Sequence, residues 1–119
     1  MTKSDNHILV IFGASGDLAY RKLVPALFDL FAQDLLPEKF AVLGASRSPF
    51  DDQHFRAKMK EGIVTFANHA TEHKDRIDAF LPSLHYHALN TFEVSEYAGL
   101  KQRLKTLDRE IGIGGNYLF

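Results

Sequence analysis

Ile8-Leu-Val-Ile-Phe12 is an unbroken apolar run, rich in β-branched residues and closed by Gly13. A run of strand length with no polar alternation predicts a strand covered on both faces, as in parallel sheets. Beyond the turn Gly13-Ala-Ser-Gly16 the period changes, and Leu23, Ala26, Leu27, Leu30 and Phe31 recur at helical spacing until Pro37. Pro25 interrupts that stripe. Because Pro is tolerated in the first turn of a helix, the reading is a short turn over residues 17–21 and a regular helix from about Val24.

Phe40-Ala-Val-Leu-Gly44 repeats the strand signal, and Ser46-Arg-Ser48 with Pro49 ends it. Asp51 is placed to cap a helix carrying Phe55, Met59, Ile63 and Phe66, and Thr71 a second one carrying Ile77, Phe80 and Leu81. Residues 84–89 read as a weaker strand, with His85 and His87 on one face and Leu84, Tyr86 and Ala88 on the other. A last helical stripe, Tyr97, Leu100, Leu104, Leu107 and Ile111, runs into Gly112-Ile-Gly-Gly115, and Asn116-Tyr-Leu-Phe119 reads as a fourth strand. The alternation predicts an α/β fold, a Rossmann-type doubly wound parallel sheet of strand order 3-2-1-4. Residues 1–119 form one domain on this reading. The stop inside an apolar strand leads us to expect a domain incomplete at its C-terminal end, truncated as the fourth strand begins.

Composition narrows the function classes. Fourteen Lys and Arg against fifteen Asp and Glu leave a formal charge of -1, so no global field draws the chain to nucleic acid or to an anionic membrane. No apolar run approaches the ~18 residues of a membrane span, and residues 1–7 have no signal-peptide core, so the expected compartment is cytoplasmic. The chain has no Cys, which excludes disulfides and thiolate metal sites.

The chemistry concentrates at the first strand-to-helix turn. Gly13 suits a tight turn, Gly16 lets backbone approach a pyrophosphate, and the unpaired N–H groups of the first helical turn can donate to it. Ala14 and Leu18 lie within the same turn, Ser15 offers a hydroxyl donor, and Ala19 is small enough for close helix-to-strand packing. Asp17 suits a helix N-terminus if it points away from the anion. At the end of the second strand, where an acidic residue would accept from the ribose of NAD, stands Ser46-Arg47-Ser48. A guanidinium flanked by hydroxyls suits a 2′-phosphate, through charge-assisted bonds of roughly 1.5–3 kcal/mol each, which favours NADP as cofactor.

Other signals read as structural. His69 and His73, and His85 and His87, have ligand spacings but no third ligand with a clear motif, so no metal is assigned. Tyr97 and Lys101 imitate the Tyr-x3-Lys of short-chain reductases and epimerases, yet Tyr97 opens the apolar stripe of the last helix, so packing is the stronger reading. Residues 112–115 follow a helix and read as its cap and loop. A short-chain reductase or epimerase, and a non-catalytic NADP-binding sensor module, remain as alternative functions.

Gly13-Ala-Ser-Gly-Asp-Leu-Ala-Tyr-Arg-Lys-Leu-Val-Pro-Ala-Leu27, with Leu35-Leu-Pro37 and Gly44-Ala-Ser-Arg-Ser48, strongly resembles the start of the glucose-6-phosphate dehydrogenases. The resemblance covers all 119 residues, loosely after Pro49. It implies that the turn of residues 13–19 holds NADP, that Arg47 and Ser48 meet the 2′-phosphate, and that Lys22 lies where coenzyme and sugar phosphate approach. Asn90 stands near an acidic coenzyme contact of the family, and Tyr20 where a basic residue is common. The implied reaction oxidises D-glucose 6-phosphate at C1 to the 6-phosphogluconolactone and passes hydride to NADP+, the entry to the pentose phosphate pathway. The family's Arg-Ile-Asp-His-Tyr-Leu-Gly-Lys and Glu-Lys-Pro strings do not occur in these residues, so no catalytic residue is assigned and the 119-residue chain is expected to be inactive. Homo-oligomers are expected of the full-length chain only.

Overall fold

Strand β1 (His7–Phe12) sends alternate side chains to opposite faces of the sheet, and a different set of helices closes each face. A computed structural model describes residues 5–68, 70, 72–90 and 92–119. Its elements in chain order are β1, α1 (Val24–Ala32), β2 (Phe40–Ser46), α2 (Asp52–Phe66), α3 (Lys74–Phe80), β3 (Leu84–Ala88), α4 (Tyr97–Ile111) and β4 (Tyr117–Leu118). The strands pair in parallel in the order β3-β2-β1-β4, the α/β topology that the strand and helix periods predict. Register runs from His7 opposite Phe40 to Phe12 opposite Ala45, and Ile8 lies opposite Tyr117.

On one face, Ile11, Val42, Leu84 and Tyr86 pack against Val24 and Phe28 of α1, Phe55 and Met59 of α2, and Phe80 of α3. On the other, Ile8, Val10, Leu43 and Ala45 meet Leu100, Leu104 and Leu107 of α4. Helices α1 to α3 thus share a face, and the connection through α4 carries the chain back across the sheet to the far side of β1. That reversal leaves a crevice at the carboxyl ends of the strands, where open α/β sheets bind ligands.

Several local expectations change. The regular helix starts at Val24 with Pro25 in its first turn, as the spacing predicts, but it is not set off by a separate turn: residues 19–23 widen into a π turn that runs straight into α1. Pro25 has no N–H and its ring crowds the carbonyl four residues back, and the wider turn accommodates both, with the Val24 N–H bonded to the Ala19 carbonyl. Strand β1 is not covered throughout: Phe12 is 44% exposed, and Leu9 is half-buried in an open apolar groove shared with Leu27 and Leu30. Phe66 ends α2 largely outside the core. The Asp51 cap forms, its carboxylate accepting from the His54 N–H at 2.7 Å. Thr71, expected to cap α3, lies outside the described residues, as do His69, Thr91 and residues 1–4. Among the described residues no helix is long and apolar enough to cross a membrane.

Candidate functional site

The turn after β1 is held to the neighbouring strand by its own backbone. Gly13 adopts φ 72° and donates to the Ala45 carbonyl at 2.8 Å, while the Gly16 N–H returns to the Gly13 carbonyl at 2.9 Å. Left-handed φ explains the Gly at position 13. Ala14 is fully buried against β2, where a Cβ on Gly44 would lie only 2.7 Å from the Ala14 methyl. Gly16 is exposed at the helix entrance, and a Cβ there would come within 3.1 Å of the Gly13 carbonyl. The Gly13, Ala14 and Gly16 N–H groups are all taken up by backbone carbonyls, so the donors left to face an anion are those of the helical run that opens at Asp17, whose first N–H groups have no partner within a helix.

An open cleft of about 560 Å³ lies at this point, lined by Phe12, Gly13, Ser15, Ser46, Arg47 and Tyr97. Arg47 is exposed at its lip, the guanidinium carbon 5.9 Å from the centroid of the Phe92 ring. Ser48 follows, half-buried. Among the described residues no carboxylate lines this cleft, and its charged wall is a cation. Tyr97 packs partly against the α4 layer and also faces the cleft, with its ring 6.4 Å from that of Phe12, so core packing is only half of its role.

The other expected residues spread out. Leu18 is 62% exposed on the outer side of the turn. Asp17 pairs with Arg21 at 2.9 Å, an exposed contact between successive helical turns. Lys22 is exposed within the π turn and does not line the cleft. Asn90 is turned into its own loop, its side-chain oxygen accepting from the Phe92 N–H at 3.0 Å. Ala19 is buried, as close helix packing requires. Tyr20 donates to Glu61 at 2.9 Å, a bond that with slight burial raises the phenol's pKa and fastens the π turn to α2.

Lys58 and Tyr86, which no sequence signal marked for the site, help to build the cleft, and so does Ser46, whose hydroxyl was expected beside the 2′-phosphate but is turned into the core. Lys58 of α2 donates to the Ser15 carbonyl at 2.7 Å, placing a cation directly behind the turn. Ser46 and Tyr86 lead from that turn into the core: Ser15 Oγ is 2.5 Å from Ser46 Oγ, and Ser46 Oγ 2.7 Å from the Tyr86 hydroxyl. Tyr86 in turn donates to the Ser48 carbonyl at 2.7 Å. A carbonyl can only accept, so the single hydroxyl hydrogens order themselves from Ser15 to Ser46 to Tyr86 to Ser48. Ser15 therefore turns its hydrogen inward and shows the cleft lone pairs, contrary to its expected use as a donor to phosphate. Residues 112–115 form no second cradle. The N–H groups of Gly114 and Gly115 donate to the Asp108 carboxylate at 2.9 and 2.8 Å.

Comparison with known proteins matches this arrangement. A family model described as "Glucose-6-phosphate dehydrogenase, NAD binding domain" matches residues 10–119. A glucose-6-phosphate 1-dehydrogenase of Treponema pallidum is 42% identical over 113 residues, covering 95% of this chain and 22% of its own length. One of Aggregatibacter actinomycetemcomitans is 41% identical over 98% of this chain and 23% of its own length. A solved structure of glucose-6-phosphate dehydrogenase with its substrate glucose-6-phosphate superposes on 99% of this chain and 24% of its own, with TM-score 0.83 and 26% identity. A Mycobacterium avium glucose-6-phosphate 1-dehydrogenase shares the fold at TM-score 0.68 and 17% identity. The chain thus spans about a fifth to a quarter of the length of the proteins it matches. A Gly-turn matched in sequence, a 3-2-1-4 sheet matched in space and a family model matched over nearly every residue agree: the chain belongs to the glucose-6-phosphate dehydrogenase family, through its NAD binding domain.

Proposed function

We propose that residues 1–119 are the NADP+-binding part of an enzyme that oxidises D-glucose 6-phosphate at C1 to 6-phospho-D-glucono-1,5-lactone. The observation that carries the coenzyme choice is Arg47 at the lip of a cleft that contains the Gly13 turn and, among the described residues, no carboxylate. The residues fit the group: Gly16 is exposed at the helix entrance with no Cβ over the backbone, and the Arg47 cation stands at the lip of the cleft. The turn of residues 13–18 would bind the pyrophosphate through backbone N–H groups, and Arg47 and Ser48 the 2′-phosphate. Lys22 and Asn90 are proposed contacts at the margins. Bound NADP+ supplies the hydride acceptor; the chain's own residues bind and orient it. The substrate's phosphate and the C1 hydroxyl proton require further cationic and basic groups beyond this site. The reading takes the cytoplasm as its setting and a homo-oligomer as the state of the complete enzyme.

The test is titration of the chain with NADP+ and with NAD+ by calorimetry, before and after Arg47→Ala. Loss of one charge-assisted contact predicts NADP+ binding weaker by about tenfold or more, with NAD+ nearly unchanged. Equal losses for both coenzymes would refute the assignment of Arg47, and no binding by the parent chain would refute the coenzyme reading.

A further inference from the structure

We infer that Tyr86 is a positioning residue for coenzyme selectivity, holding the Arg47–Ser48 lip through a buried hydroxyl chain. The inference rests on the NADP+ reading above. Tyr86 belongs to β3 and never reaches the cleft surface: it is 2% exposed, with its ring packed against those of Phe50 at 5.3 Å and Phe55 at 5.2 Å. These two ring contacts and the burial set where the hydroxyl stands before any ligand arrives. From there it donates to the Ser48 carbonyl at 2.7 Å, which also accepts the Phe50 N–H at 2.9 Å across Pro49.

Arg47 therefore sits between two anchored neighbours. Ser46 is the last residue of β2, 6% exposed, and its backbone is held by pairing with Ala88 of β3 and by its carbonyl accepting the Leu89 N–H at 2.9 Å. Ser48 is held by the carbonyl that Tyr86 caps. With its backbone fixed on both sides, the exposed guanidinium loses less freedom when it meets an anion, the source of pre-organised affinity. A group that acts only on this lip changes recognition of the 2′-phosphate, which NADP+ carries and NAD+ lacks. A group that merely supports the core changes both coenzymes alike.

The chain also assigns Ser46 a separate effect. By accepting from Ser15 it keeps that hydroxyl hydrogen away from the cleft, so removing the Ser46 hydroxyl returns a donor to the phosphate turn while leaving the Tyr86–Ser48 bond in place.

The experiment is calorimetric titration of NADP+ and NAD+ against the parent chain, Tyr86→Phe and Ser46→Ala, with thermal unfolding of each. Tyr86→Phe keeps the ring and removes the donor. It is expected to weaken NADP+ by about three- to tenfold, the worth of one neutral hydrogen bond, and to leave NAD+ within about twofold. Ser46→Ala is expected to bind NADP+ at least as tightly as the parent. An unchanged NADP+-to-NAD+ ratio in Tyr86→Phe, whatever the change in melting temperature, would overturn the inference while leaving the coenzyme reading intact. Ser46→Ala losing NADP+ affinity as Tyr86→Phe does would overturn the assignment to the Ser48 side. Failure of the parent to bind either coenzyme would overturn the underlying reading and this inference with it.

Discussion

Arg103 on α4 donates through Nη2 to both carboxylate oxygens of Asp52 on α2, at 3.1 and 2.9 Å, although the two helices cover opposite faces of the sheet. They meet around the free edge of β3. There Asp52 accepts the Tyr86 N–H at 2.8 Å and Arg103 donates to the Tyr86 carbonyl at 3.3 Å, while Arg56 takes the Leu84 carbonyl at 2.7 Å. Side chains thus occupy edge groups that would otherwise recruit another strand.

Arg103→Ala leaves a mostly buried carboxylate short of its main partner and exposes a strand edge. We expect a loss of about 1–3 kcal/mol in urea unfolding, together with concentration-dependent association visible in light scattering. Arg103→Lys should recover only part of the stability, because a point charge cannot reach the carboxylate and the carbonyl together. Stability equal to the parent in Arg103→Ala would show that the edge is held by other means.

The same cluster predicts two acid transitions. Burial holds the His85 imidazole below its ordinary value, although Asp52 lies 3.7 Å away, and its Nε2 is buried without a partner. Burial likewise lowers His87, with help from Arg103. For groups lowered on folding, stability is fully present above the unfolded value and is lost as pH falls through the folded one, so it should decline as pH drops below about 6.5. Burial pulls Asp52 upward, but the Tyr86 N–H together with Arg103, His85 and Arg56 outweighs it and holds the carboxyl low, which adds a second decline below about pH 4. Melting temperatures across pH 3–8 should show both, and His85→Phe should flatten the first; an unaltered profile in that variant would exclude His85 as its source.

Gly44→Ala drives a methyl to 2.7 Å from the Ala14 Cβ and 3.0 Å from Phe55. Neither neighbour has room to withdraw, since both are fully buried. The expected cost is about 1–3 kcal/mol in chemical unfolding, and the displaced turn should bind NADP+ and NAD+ more weakly to the same degree. Selective loss of NADP+ alone would show that β2 and the Gly13 turn are not packed as described.

Asp108 gathers the loop before β4. Its carboxyl is held low first by the Tyr117 hydroxyl at 2.7 Å and then by the Gly114 and Gly115 N–H groups. Asp108→Ala should release β4, and hydrogen exchange should rise severalfold at the Ile8 amide, which bonds the Asn116 carbonyl at 3.0 Å. Protection unchanged at Ile8 would show that β4 pairs without this loop.

What one stretch of chain decides was legible along the chain. The two apolar runs are β1 and β2, the stripe from Tyr97 to Ile111 is α4, and Gly13 and Gly112 stand where the backbone turns left-handed. Each follows from steric limits and burial period acting within a few residues, so spacing alone reveals it. The cleft was half legible: the Gly turn and Arg47 announced themselves by their place at strand ends.

The rest depended on which residues the parallel crossovers bring together. Lys58 meets the turn from 43 residues away, Tyr86 reaches Ser46 from 40, and Arg103 reaches Asp52 from 51. No local preference marks such partners, because their contact is set by strand register and helix packing. Ser15 shows the division most plainly. Its sequence position made it a donor at the phosphate turn, but the direction of its only hydroxyl hydrogen is decided at the Ser48 carbonyl, through two side chains that only the folded sheet aligns.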